Sequence, residues 1–318
     1  VTTAASDPTD LHPDRTAVLV GVDGSAAADE AARAAAVEAV ARHAPLTLVR
    51  AFDWPAGGVD GLPAGVDGRA IARGAAAREL AQLAAALTDR LPTSDVRTEL
   101  VDGTPVEVLC ARSTRAALLV VGAHGQTWNT GTALGSVASA VARGSACPVL
   151  LHRTVNPLGV HRTGVTVGID GGPGSRVVLA AAAVEAQQRG VPLTVVHTWR
   201  QLTEDDTRKL RWLLDPQTTA ASETALAEEV TAELRLATPG LRLDLVQLTG
   251  QAGPALVAAG DDAALLVVGR PATPGGQGLR ATAHEVASRA RVPVLLVPLP
   301  AVEHSHAVTD RPVLADRV

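Results

Sequence analysis

The sequence predicts two tandem α/β domains, each an open five-stranded parallel sheet with helices on both faces, three layers deep. Matching residues recur at one fixed separation along the chain. Short unbroken apolar runs alternate with alanine-rich stretches of high helix propensity, as in a parallel sheet buried on both sides. With 318 residues, 47% of them hydrophobic, the chain can furnish two cores of roughly 140 residues each without disulfide or metal staples.

The repeat is in register over most of its length. Gly21 and Asp23 return as Gly168 and Asp170, Pro45–Val49 as Pro192–Val196, Gly103 as Gly250, and Val120-Val121-Gly122 as Val267-Val268-Gly269, all 147 positions on. The last strand, Cys147–Leu151, returns as Val292–Leu296 only 145 positions on, so the second copy lacks two residues between Gly269 and Pro293. The expected place for that loss is the glycine loop. The domains are expected at 15–153 and 164–299, joined by a linker at 154–163, with disordered tails at 1–14 and 300–318.

In the first copy, Ala17 to Val22 reads as a strand ended by Asp23-Gly24-Ser25, with Ser25 as N-cap of a helix over Ala26 to Ala44. Leu46 to Phe52 is the second strand, Gly57 to Gly68 a glycine-rich loop, Ala70 to Arg90 a helix and Val96 to Val101 the third strand. Pro105 suits the first position of a helix running to about Ser113. Strand Ala117 to Val121, a helix from Ser136 to Arg143 and strand Pro148 to Leu151 complete the unit.

Gly122, Gly125, Gly135 and Ser136 form a Gly-x2-Gly-x9-Gly-Ser array between the fourth strand and the next helix. Glycines let main-chain N–H groups approach a ligand, and a helix start leaves orphan donors with partial positive charge. Strand, glycine loop and helix start together suit a phosphate. The same glycines would equally serve a tight turn, Asp23 would equally cap the next helix, and Ser136 would equally cap its own. Trp128 either covers a ligand or packs on its scaffold. No lysine or arginine lies between Gly122 and Leu134, so a phosphate there must be balanced by main-chain donors, the helix end, a bound Mg²⁺ or a neutral donor such as His124.

Several function classes are excluded. A net charge of −5, scattered arginines, one phenylalanine and no tyrosine do not make a nucleic-acid surface. The single lysine, Lys209, rules out a Walker-type phosphate loop and a Schiff-base site in the glycine region. Neither a Gly-x-Ser-x-Gly elbow nor a His-Glu-x-x-His pair is present. Cys110 and Cys147 lack metal or redox-motif spacing and read as packing residues of a reducing compartment, while His304 and His306 fall in the polar tail. Val1 to Arg15 is polar and acidic with no apolar h-region, and no apolar run approaches about 18 residues; a cytoplasmic protein with no membrane partner is expected.

These residues resemble the universal stress protein family in its tandem form, over about Arg15 to His152 and Gly164 to Pro298. Asp23-Gly24-Ser25, Gly103 with Pro105, the glycine array and the final Cys-Pro-Val strand carry the resemblance. It implies an adenine nucleotide alpha hydrolase-like fold and a binding site for ATP, with Mg²⁺. By position it implies Asp23 near the adenosine, Val49 contacting the base through its main chain, and Gly122, Ala123, His124, Gly125, Gln126, Thr127 and Trp128 with Gly135, Ser136 and Val137 around ribose and phosphates. Gly21 and Gly103 would line the same crevice.

In the second copy, Arg280 falls at the place of Gly135, Ala281 at that of Ser136 and Ala272 at that of Gly125, so the array is broken and a mainly structural domain is expected; a remodelled site using Arg270 or Arg280 stays open. Asp170 either serves such a site or caps the helix near Ser175. The resemblance also implies that Pro148 to Leu151 pairs with Pro293 to Val297 inside the chain, leaving a unit able to dimerise again. The first functional expectation is an ATP-binding regulatory module, not an enzyme. Its alternatives are a protein acting through its surfaces without nucleotide, and a slow ATP hydrolase.

Overall fold

The computed structural model describes residues 16–55, 57–59, 63, 65–90, 95–124, 134–153, 163–199, 216–271, 279 and 281–300. The first repeat runs β1 (Ala17–Gly21), α1 (Ala26–Ala41), β2 (Leu46–Phe52), α2 (Gly68–Arg90), β3 (Val96–Asp102), α3 (Pro105–Ser113), β4 (Ala116–Gly122), α4 (Ser136–Gly144) and β5 (Val149–His152). The second follows as β6 (Val165–Ile169), α5 (Ser175–Arg189), β7 (Leu193–Trp199), α6 (Pro216–Ala237), β8 (Leu243–Thr249), α7 (Ala252–Ala259), β9 (Leu265–Pro271), α8 (Ala281–Arg289) and β10 (Val294–Leu299). Each repeat is a five-stranded parallel sheet, as the alternation of apolar runs and helices predicts. The two-residue deletion falls between Pro271 and Ala281, in the connection that replaces the glycine array.

The repeats fuse into one 10-stranded sheet of order β3-β2-β1-β4-β5-β10-β9-β6-β7-β8. Among the described residues its only antiparallel neighbours are β5 and β10, with Leu151 opposite Val294, Leu150 opposite Leu295 and Val149 opposite Leu296. The two apolar margins therefore cover each other, which removes an exposed pairing edge. A pseudo-twofold axis through this pair relates the repeats.

Alternation along each strand feeds two cores. Val18, Val20, Leu46, Leu48, Leu118 and Val120 face α1 and α2, with the corresponding residues of repeat 2 facing α5 and α6. Leu19, Val49, Leu119, Val121, Val149 and Leu151 face α3 and α4, and their counterparts face α7 and α8. On α1 the inner stripe is almost all alanine: Ala31, Ala32, Ala35, Ala36 and Ala39 are fully buried, and small side chains let the helix lie close on the sheet. Ser25 caps α1, its hydroxyl accepting from the Ala28 N–H at 3.1 Å, and Thr104 caps α3, with Pro105 at the first position.

Two polar devices flank the β5–β10 seam. On one face, Glu38 of α1, Arg42 at its C-cap, and Glu185 and Arg189 of α5 form a closed ring of ion pairs. On the other, two buried arginines reach across the seam. Arg153, just after β5, donates to the Ala287 carbonyl in the last turn of α8, and Arg270 of β9 donates to the carbonyls of Ser145, the C-cap of α4, and of Cys147, in the turn between α4 and β5. Carbonyls in the last turn of a helix carry partial negative charge, so the Arg153 guanidinium sits where a cation is favoured. Burial nevertheless pulls both below the usual arginine range. Cys147 is buried and Cys110 partly so, both as free thiols, in keeping with packing roles.

Candidate functional site

β1 connects outward to β2 while β3 returns across it to β4, so the sheet changes direction of winding between β1 and β4. At such a switch point the carboxyl ends of the strands open a crevice. Val22, one residue past β1, donates its N–H to the Val49 carbonyl at 3.0 Å, holding the tips of β1 and β2 together. Asp23 is exposed, and its Oδ1 accepts from the Ser25 N–H at 3.0 Å. Its carboxylate thus shapes the turn into α1, while the helix cap itself is Ser25.

The main chain after β4 is held at both ends. The Ala123 N–H donates to the His152 carbonyl at 2.8 Å, and the Gly135 N–H donates to the Ala123 carbonyl at 2.9 Å. The loop between them therefore leaves and returns at one point, beside the start of α4. Gly135 is the N-cap of α4 and offers no side chain to its first turn. Ser136 is the first helical residue and is exposed; it does not cap its own helix. Val137 is half-buried against the α3/α4 core. A β-carbon at Gly122 would lie 3.1 Å from the His124 carbonyl oxygen and 3.5 Å from that of Ala27, so this glycine is surrounded by main chain. The expected contact residues Gly125, Gln126, Thr127 and Trp128 lie outside the described residues.

Two recurring glycines have their reason in the fold. At Gly21 a β-carbon would meet Leu109 Cδ1 at 2.8 Å, and at Gly168 it would meet Leu256 Cδ1 at 2.6 Å, the same pair one repeat later. Gly103 and Gly250 take φ of 133° and 131°, a conformation closed to residues with a β-carbon.

Sequence reasoning passed over the cations nearest the crevice. Arg50, next to Val49, pairs with Glu79 of α2 at 2.5 Å, and its guanidinium nitrogens lie 3.6 and 3.7 Å from where a Gly24 β-carbon would stand. Glu79 Oε2 lies nearer still to that position, at 3.5 Å, so an ion pair flanks the turn carrying Asp23. Further out, Phe52 and Trp54 stack at 6.1 Å, Arg69 and Arg73 lie over the Phe52 ring, and both arginines pair with Asp102. An arginine inside the run Leu46–Phe52 at the carboxyl end of a strand was the available signal. On the far side of Gly122, partly buried His152 is pushed below the ordinary histidine range by burial, with the Glu30 charge opposing the shift.

Repeat 2 differs at the same place. Asp170 Oδ1 accepts from the Gly172 N–H at 2.9 Å and the Ser175 hydroxyl at 3.1 Å, so this carboxylate organises the start of α5. β10 runs two residues longer than β5, and its Leu299 wedges between α5 and β9. A β-carbon would meet Leu299 Cδ1 at 2.8 Å from Gly174 and at 3.0 Å from Gly269, the counterpart of Gly122. The alternative of a remodelled second site using Arg270 is overturned: this residue is 1% exposed and bonded to repeat 1. Arg280, Ala272 and the glycines at 275, 276 and 278 lie outside the described residues.

The Universal stress protein family model matches residues 15–153 and 162–298, nearly all of both repeats. The chain belongs to the universal stress protein family. Two universal stress proteins of Mycobacterium tuberculosis are similar over their length: Rv2005c, 33% identical across 88% of this chain and 96% of its own, and Rv2623, 32% identical across 88% and 95%. The fold is that of the crystal structure of a universal stress protein from Archaeoglobus fulgidus, at a TM-score of 0.66 and 17% identity, over 89% of this chain and 98% of that one. No helix among the described residues is long and apolar enough to cross a membrane.

Proposed function

We propose that this universal stress protein binds one adenine nucleotide, ATP with Mg²⁺, in repeat 1 and works as a regulatory module whose conformation responds to that ligand. The observation that carries the reading is the pinned main chain at Ala123, which brings Gly122 and the uncapped first turn of α4 to the switch point of the sheet. Orphan N–H groups and the helix dipole favour phosphate oxygens there. Asp23 would accept from ribose or adenine donors at the tip of β1, and Val49 would present its carbonyl, which has a second lone pair beyond the one used by Val22.

Among the described residues no group of three or more His, Cys, Asp or Glu converges. Mg²⁺ typically keeps several waters and binds through substrate phosphates, so it would enter with the nucleotide. Leu299 in the wedge between α5 and β9 supports a repeat 2 that holds no nucleotide and serves as the partner of repeat 1.

Calorimetric titration of the purified chain with ATP and Mg²⁺ tests this, with one site per chain expected. Two sites would overturn the assignment of repeat 2. A folded chain that takes up no adenine nucleotide would leave the reading in which the protein acts through its surfaces alone.

A further inference from the structure

Helix α4 is gripped at both ends by different repeats. Its N-terminus follows Gly135, whose N–H is tied to Ala123 in repeat 1; just past its C-terminus the carbonyls of the C-cap Ser145 and of Cys147, in the turn leading to β5, accept from Arg270 of repeat 2, the latter at 3.1 Å. At nine residues the helix spans about 13 Å, short enough to move as one rigid rod. Arg270 has 1% exposure and donates to the main-chain carbonyls of Ser145, Cys147 and Pro271. Its Nε is buried with no hydrogen-bond partner. A buried cation is costly to keep, and this one is held by the main-chain carbonyls of the turn that follows α4.

We infer that Arg270 of repeat 2 is a positioning residue for the nucleotide of repeat 1: it fixes α4 by its C-terminus so that the N–H groups of the first turn meet the phosphates. This rests on the nucleotide reading above and adds to it the reason why the second repeat is needed. It also joins occupancy of the site to the seam between repeats, since the same guanidinium spans β5 and β10.

The test compares ATP with adenosine, which lacks the phosphates, in wild type, Arg270→Met, Arg270→Lys and Glu185→Gln. Glu185→Gln loosens the seam on the opposite face without touching α4. Arg270→Met is expected to weaken ATP about tenfold while adenosine affinity stays within twofold. Arg270→Lys, which keeps the charge but loses the planar fork, is expected to fall between, and it provides the readout should the methionine variant not fold. Glu185→Gln is expected to bind ATP as wild type does. Equal loss of ATP and adenosine in the arginine variants, unchanged ATP affinity in them, or the same loss in Glu185→Gln would each overturn the inference while wild-type binding leaves the nucleotide reading standing. A wild type that binds no ATP removes the nucleotide reading itself, and this inference with it.

Discussion

Glu38 in the first repeat accepts from Arg189 in the second, and Glu185, the counterpart of Glu38 147 positions on, accepts from Arg42, the counterpart of Arg189. Each glutamate is also paired within its own helix, to the arginine four residues on. The result is a ring of alternating charge about the pseudo-twofold axis. Its carboxylates are only 10% and 7% exposed and its guanidiniums 14% and 24%, so solvent screens it little. Parallel sheets alone would leave α1 and α5 as neighbours across the seam; the ring fixes how they meet.

Removing one carboxylate leaves two guanidiniums competing for the other. Glu38→Gln is expected to cost roughly 2–3 kcal/mol, somewhat under the ~3–5 kcal/mol for a fully buried pair, because Arg189 retains some water. Glu38→Gln with Arg42→Met should cost less than the sum of the two single changes, since the pair they share is counted twice and Glu185–Arg189 remains neutral and intact. Urea unfolding of the four proteins measures this, and strict additivity would mean that the ring does not act as a unit.

The ring was half legible in the sequence. Glu38 with Arg42 and Glu185 with Arg189 are helix-spaced pairs in matching register, but their cross-pairing exists only because β5 and β10 bring the two helices together. Strand and helix ends around the glycine array were legible to within a residue, since an apolar run followed by glycine and then alanine-rich chain has few other solutions. The reason for each glycine was not. A glycine reports a missing side chain and says nothing of what fills the space, so Gly21 reads as crevice lining although Leu109 occupies its β side. The cross-seam bonds of Arg153 and Arg270 were not legible either: their acceptors are carbonyls of the other repeat, which carry no sequence signature.

That packing role has a measurable consequence. Gly21→Ala would press a methyl against Leu109 Cδ1 at 2.8 Å, and Gly168→Ala against Leu256 at 2.6 Å. Each is expected to cost about 1–3 kcal/mol as an overpacked core site. ATP affinity should stay within twofold for both. A loss of ATP binding confined to Gly21→Ala would return that residue to the binding surface.

Partly buried His152 gives the fold a dependence on pH. Its folded-state affinity for a proton is lowered, mainly by burial and against the pull of Glu30, from the ordinary value of 6.5. Between that lowered value and 6.5 the unfolded chain holds more protons than the folded one, so stability rises with pH there and its contribution is lost as pH falls through the window. Stability is thus expected to decline on acidification below about 6.5, and His152→Gln should flatten the decline. Urea midpoints measured from pH 7.5 down to pH 5 in both proteins check the sign; identical slopes would remove His152 as the cause.

The sharpest separation between the repeats lies in Gly122 and Gly269, one strand tip with two surroundings. At Gly122 the atoms a methyl would strike are the His124 and Ala27 carbonyl oxygens, main chain that leads directly into the loop, whereas at Gly269 they are the ends of Val178 and Leu299. Side-chain ends turn aside at modest cost; main chain does so only by shifting the segments it belongs to. Gly122→Ala is therefore expected to displace the chain at His124 and weaken ATP tenfold or more, about 1.4 kcal/mol or above. Gly269→Ala should lower stability by an amount in the overpacking range of ~1–3 kcal/mol with ATP affinity unchanged. Equal loss of ATP in both would mean that the nucleotide does not distinguish the polar tip of β4 from the apolar tip of β9, and the assignment of the site to repeat 1 would fall.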